Sequence, residues 1–257
     1  MQIDRSLRRN RVRGFLAEIV IIVIGVLIAL AAGQLAEEWN WRRKVAQGDE
    51  QLQREARMNF VYAAEQVAAQ PCLQAQLRTL RDRVLSSGAT LQPAPVHHQD
   101  VIRSFVFRTP SRPYATGVWQ SLVDDGTTSH VEDNRREMLG SAYSSIDILD
   151  HLRDATDLVT GRLMVLSHPL PLDPGTRAML IASLEEQEAR SDLQSLVAAQ
   201  LLGAYRDLGI SNAIEKDLAA LDSGTLAFCR QQGLPLQDWP AVMRAQPPTI
   251  EHEPTPV

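Results

Sequence analysis

Four polar side chains, Asp147, Asp150, His151 and Asp154, recur at i, i+3, i+4 and i+7. On a helix this spacing sets three carboxylates and an imidazole along one face, a donor set that a divalent cation accepts. Metal sites in helical bundles draw matching ligands from facing helices, and no second motif of that kind stands in the sequence. The reading preferred here is a solvated polar face, with no metal ligand and no cofactor assigned. His97, His98 and Asp100 form another local cluster, in a Pro-rich stretch where paired histidines are ordinarily exposed. Lys44 and Lys216 are the only lysines, which leaves few partners for a Ser–Lys nucleophile. No phosphate-cradling loop, dinucleotide fingerprint or nucleophile elbow is present, so no catalytic or cofactor-binding residue is assigned. Arg135 and Arg136 are expected to make surface ion pairs.

Cys72 and Cys229 are the two cysteines. In an oxidising compartment they would bridge the first and last helices of a bundle. Closing so long a loop stabilises by roughly 4 to 5 kcal/mol on the chain-entropy argument. The alternative is a pair of buried thiols, each acting as a small hydrophobe.

Glu18 is a carboxylate at the edge of a strongly apolar segment, Phe15 to Leu35 (FLAEIVIIVIGVLIALAAGQL). About 20 residues at roughly 1.5 Å each cross a hydrocarbon core of about 30 Å, so the segment is expected to be a transmembrane helix. Trp39 and Trp41 follow it, where indole rings favour the headgroup boundary. At 100° per residue Glu18, Ile22, Gly25, Ala29 and Gly33 fall on one side of the helix. Small residues at this spacing let two membrane helices approach closely, and an acid there marks a candidate seam to a second copy or to another membrane protein. The alternative is that Glu18 snorkels toward Arg11 or Arg13 at the interface. A cleaved signal peptide ending near Ala29-Leu30-Ala31 is a rival for the whole segment. Against it, the apolar run exceeds the usual h-region of about 7 to 15 residues, and the Trp pair suits a retained helix.

The string Ala17-Glu18-Ile19-Val20-Ile21-Ile22-Val23-Ile24-Gly25-Val26-Leu27-Ile28-Ala29-Leu30, with Glu38-Trp39-Asn40 after it, resembles the start of a family of uncharacterised bacterial single-pass membrane proteins. A second, weaker similarity covers Val118-Trp119-Gln120-Ser121-Leu122, Gly126 and the stretch around Arg135, Arg136, Leu139 and Tyr143. The resemblance implies an anchor helix with a helical outer domain. It carries over no catalytic residue.

The elements around these residues read as helices. Aromatic residues are 5% of the 257, and the apolar content is mostly Leu, Ala and Val amid Glu, Gln and Arg, which favours helix over strand. Leu52, Ala56, Phe60, Ala63 and Val67, then Leu73, Leu77, Leu80 and Val84, recur at helical spacing, and Pro71 between them is expected to kink or break the helix. Gly88 closes it, and 91–113 is a Pro-rich connector with a short turn near 101–107. A short helix over 116–124 follows, then a long one from about Ser129 with Leu139, Tyr143, Ile146, Leu149 or Asp150, then Leu152, Ala155, Val159 and Leu163 inward. Asp173 with Pro174 starts the next helix, which ends at Gly209 and whose charged middle (185–192) is expected to be less buried than its ends. Ser211 caps a last helix with Ile214, Leu218, Leu221 and Phe228 inward. The fold class is therefore all-α: an N-terminal transmembrane helix followed by an antiparallel helical bundle. The expected layout is a basic cytoplasmic tail (1–14), an anchor (15–35), a helical soluble domain (36–244) and a disordered tail (245–257).

Residues 1–44 hold eight basic and four acidic side chains, which leaves −9 for the remainder of a chain of net charge −5. An acidic body argues against nucleic-acid partners. The positive charge before the apolar segment favours a cytoplasmic N-terminus and a periplasmic domain, at the bacterial inner membrane. The partners expected are the lipid bilayer and, through the anchor, another copy or another membrane protein. The sequence favours a non-enzymatic interaction or structural module of the cell envelope over a ligand-binding or sensory bundle, and over an envelope hydrolase or metal enzyme.

Overall fold

Leu, Ala, Glu, Gln and Arg favour helix at almost every position past the apolar segment, and the chain begins as one helix, α1 (Ile3–Ser86). The computed structural model describes residues 3–98, 104–210 and 224–244, with side chains from residue 20 onward apart from Pro240 and Met243. Further along are α2 (Gly117–Asp124), α3 (Asp133–Leu163), α4 (Pro174–Asp207), α5 (Thr225–Gln231) and α6 (Trp239–Arg244), with 3-10 turns at Thr127–His130 and Met164–Ser167. Among the described residues the one sheet is a pair of two-residue strands, β1 (His97–His98) and β2 (Ser104–Phe105), antiparallel with His97 opposite Phe105. The protein is all-α.

The chain forms two compact units, residues 1–50 with 122–131 and residues 51–121 with 132–257. In the first, the turn after α2 packs on α1 near its residues 41–48. Trp41 stacks on His130 with ring centroids 3.9 Å apart, and Lys44 reaches Asp125 at 3.0 Å. Gly48 is buried against Leu122, where an added Cβ would come within 2.7 Å of Leu122 Cδ2.

The second unit is a bundle of α1 (from Gln51), α3 and α4. Along α1, Phe60 meets Tyr205, Gln74 meets Asp192, and Arg81 meets Glu188 and Glu185. Rising numbers on α1 pair with falling numbers on α4, so the two are antiparallel. The short 164–173 connection folds α4 back along α3 in the same sense, as short helix connections do. Phe60, Leu73, Leu77, Ile146, Leu163, Leu184, Leu201 and Leu202 close the core between the three helices. Asp173 caps α4, accepting the N–H groups of Gly175 and Thr176, with Pro174 at the first helical position.

Several local expectations are corrected. Pro71 does not break α1, which runs through it to Ser86; buried Val67, Ala68, Ala69, Cys72 and Leu73 on both sides hold the helix together. α3 starts at Asp133 rather than near Ser129, because Glu132 caps it by accepting Asn134 and Arg135 N–H. The middle of α4 is buried on one face, where Leu184, Gln187, Ser191 and Gln194 continue the inward stripe while the charges lie beside it. The turn expected near 101–107 includes strand β2, and Phe228 is half-buried against His97 and Phe105. The expected Ser211 cap with Ile214, Leu218 and Leu221, and the tail 245–257, lie outside the described residues.

At the far end of α1 the carbonyls left without helical partners turn to α4. Arg177 donates to the carbonyls of Val84, of Ser87 (2.9 Å) and of Gly88 (2.9 Å). Hydrogen bonds from a charged donor contribute more than neutral ones. Arg177→Ala is expected to lower stability by about 2–3 kcal/mol, read as a lower urea midpoint at unchanged slope. Arg177→Lys should recover less than half of it, since an ammonium lacks the guanidinium fork.

Candidate functional site

The most apolar 18 residues of α1 have a mean hydropathy of 2.3, and none of them is buried by the rest of the chain. The helix is long and apolar enough to cross a membrane. Val20 to Ile24, Val26 to Ile28, Leu30 and Leu35 are each at least half exposed. Ile22, Gly25, Ala29 and Gly33 share a face by their spacing, and all four are exposed. An added Cβ at Gly25 or Gly33 would meet nothing within 4 Å. Glu18 belongs to the helical backbone, but its side chain lies outside the described residues. Of the two tryptophans Trp39 is exposed, whereas Trp41 is half-buried between His130 and the Lys44 ammonium, 4.8 Å from its ring.

The candidate donor cluster on α3 is spent on neighbours. Asp150 and Asp154 both turn to Arg153, and His151 Nδ1 donates to the Asp147 carbonyl at 2.7 Å. That bond, with the Asp147 carboxylate nearby, raises the exposed imidazole above its ordinary range. Among the described residues no three His, Cys, Asp or Glu side chains group as metal ligands would. His97 packs against Phe105 and Phe228, His98 pairs with Ser104 Oγ at 3.0 Å, and Asp100 lies outside the described residues. Arg136 pairs with Asp133 at 2.7 Å.

The densest polar arrangement was not singled out from the sequence. Four side chains of α1 clamp the segment 108–119, which runs from the irregular connector into the first turn of α2. Gln76 accepts the Arg108 N–H (2.8 Å) and donates to its carbonyl (3.1 Å). Asn59 does the same for Ala115, at 2.8 and 2.7 Å. In both cases a carboxamide completes a backbone amide as a neighbouring strand would. Glu55 accepts the N–H groups of Val118 (2.8 Å) and Trp119 (3.3 Å), capping α2 from outside, and also the Tyr143 hydroxyl at 2.6 Å. Trp119 stacks on the Tyr143 ring, centroids 5.1 Å apart. Glu65, almost wholly buried, accepts from Arg112 Nε at 2.5 Å, and the guanidinium lies over Tyr62. Burial raises the Glu65 carboxyl above its ordinary range, although Arg112 and the Thr225 N–H oppose the shift. Burial likewise raises the phenols of Tyr114, Tyr143 and Tyr205 well above theirs, so all three are neutral; the Tyr205 hydroxyl is buried without a partner among the described residues. One sequence signal existed: Tyr62 to Ala69 (YAAEQVAA) sets only Glu65 and Gln66 among apolar residues, as expected of a helix covered on several sides.

Cys72 and Cys229 are joined by a disulfide with Cα atoms 6.0 Å apart, and both residues are fully buried. The bond fastens α5 to α1. Compared with protein-family models, curated proteins and solved structures, the chain matches none.

Asn59→Leu is expected to cost about 2–4 kcal/mol, because it leaves the Ala115 N–H and C=O without their partner, and a urea titration measures it. Glu65 yields a pH signature. With its folded pKa raised, its contribution is complete below the ordinary value of 4.5 and is lost as pH rises through the folded value. The stability of the wild type relative to Glu65→Gln should therefore fall as pH rises from 4.5 through the folded value. Parallel stability–pH curves for the two proteins would refute the assignment.

Proposed function

We propose that the chain is a single-pass membrane protein whose helical bundle is a non-enzymatic interaction or structural module of the cell envelope. The observation that carries this reading is the wholly exposed apolar run of α1, for which lipid is the natural cover. Arginines at 5, 8, 9, 11 and 13 precede the run, while the basic residues after it are partly offset by acids: Arg42 pairs with Glu38 and Lys44 with Asp125. That imbalance favours a cytoplasmic N-terminus at a bacterial inner membrane and a periplasmic bundle. The disulfide agrees with this side, since such bonds persist in oxidising compartments. The resemblance of the anchor string to the uncharacterised single-pass family supports the same topology. In this reading the Glu18, Ile22, Gly25, Ala29 and Gly33 face meets a second copy or another membrane protein.

The test is crosslinking in intact membranes with identification of what is captured. Wild type is expected to give a specific lateral adduct, reduced at least tenfold in Gly25→Leu and in Glu18→Leu. Equal capture by all three proteins contradicts the seam. Alkaline phosphatase fused to the C-terminus should be active in cells, whereas fluorescence from a cytoplasm-only reporter at that end contradicts the orientation.

A further inference from the structure

Proline at 71 lacks an N–H, and its ring crowds the carbonyl of Val67, four residues earlier, so the turn from Val67 to Pro71 is the weakest in this part of α1. The C-terminal elements bind α1 at three points around that turn. The Thr225 N–H is hydrogen-bonded to Glu65, Cys229 is bonded to Cys72, and the Gln237 N–H donates to the carbonyl of Ala68 at 3.0 Å. Thr225 and Leu226 are buried, and Leu234 N–H returns to the Cys229 carbonyl at 2.9 Å, so the strap is itself tied into a loop. Gly224, at φ +99°, opens the strap where an added Cβ would come within 3.4 Å of both Glu65 Oε1 and Arg112 Nη2.

We infer that the segment from Gly224 to Trp239 is a splint. It holds α1 helical across Pro71, with the Cys72–Cys229 bond as its rivet and the Gln237 N–H bracing a carbonyl in the loosened turn. The fold places the covalent link one residue from the proline, where opening of the helix would pull the strap off. Releasing the rivet makes residues 67–74 a hinge in the rod. This inference concerns the bundle alone and does not rest on the membrane reading.

Hydrogen exchange of the full-length chain, read by mass spectrometry, tests it. In Cys229→Ala the amides of 225–238 and of 68–74 should exchange at least tenfold faster, with those of 52–62 unchanged. In the double variant Pro71→Ala/Cys229→Ala the strap should stay fast while 68–74 returns to within about twofold of wild type. If 68–74 keeps wild-type protection in Cys229→Ala, or if the double variant is as open there as the single one, the splint is refuted. Should Cys229→Ala fail to fold, Gln237→Pro removes the bracing N–H and leaves the disulfide in place. It should quicken exchange at 68–74 about threefold, and no change there also refutes the proposal.

Discussion

The constraint on which everything else depends is the unsatisfied apolar surface of α1. Ten large aliphatic side chains between Val20 and Leu35 stand exposed on it. Burying each contributes about 1.5–3 kcal/mol, so leaving all of them in water costs on the order of 15–30 kcal/mol. That exceeds the whole folding stability of a typical domain, about 5–15 kcal/mol. A helix satisfies its own backbone and so tolerates hydrocarbon around it. In the proposed reading lipid supplies the cover that the remainder of the chain does not.

The bundle solves a different problem with the same helix. From Gln51 onward α1 packs on α4 along an apolar stripe, yet it also has to hold a long connector that lacks regular structure over much of its length. Backbone groups near a core need partners. Gln76, Asn59 and Glu55 supply them in turn along the chain from Arg108 to the first turn of α2. Polar residues buried on α1 are therefore the means by which one helix organises non-helical chain. Glu55, Asn59 and Gln76 find their partners within the fold, whereas Gln66 Nε2, buried on the same helix, has none among the described residues.

Periodicity made the long helices legible. The stripes through Phe60, Leu73 and Leu77, through Ile146 and Leu163, and the Asp173–Pro174 start all stand where their spacing places them. What escaped were features decided by tertiary partners. Pro71 reads locally as a breaker, but flanking buried residues override it. The charged run 185–192 reads as exposed, yet Gln187 and Ser191 within it point inward because α4 is flanked by helices on two sides. Asn59 and Gln76 look like ordinary surface amides until the connector is laid against them. That Ile22, Gly25, Ala29 and Gly33 lie along one side of α1 follows from helical spacing alone, whereas the pairing of Cys72 with Cys229 required the fold to bring together residues 157 positions apart.

The most direct measurement is a carbonate wash of membranes from cells making the full chain, followed by mapping of its N-terminus. Retention of the intact polypeptide in the pellet, with its start upstream of Phe15, is what an embedded α1 requires. Release into the supernatant, or a mature terminus beyond Ala31, would contradict it.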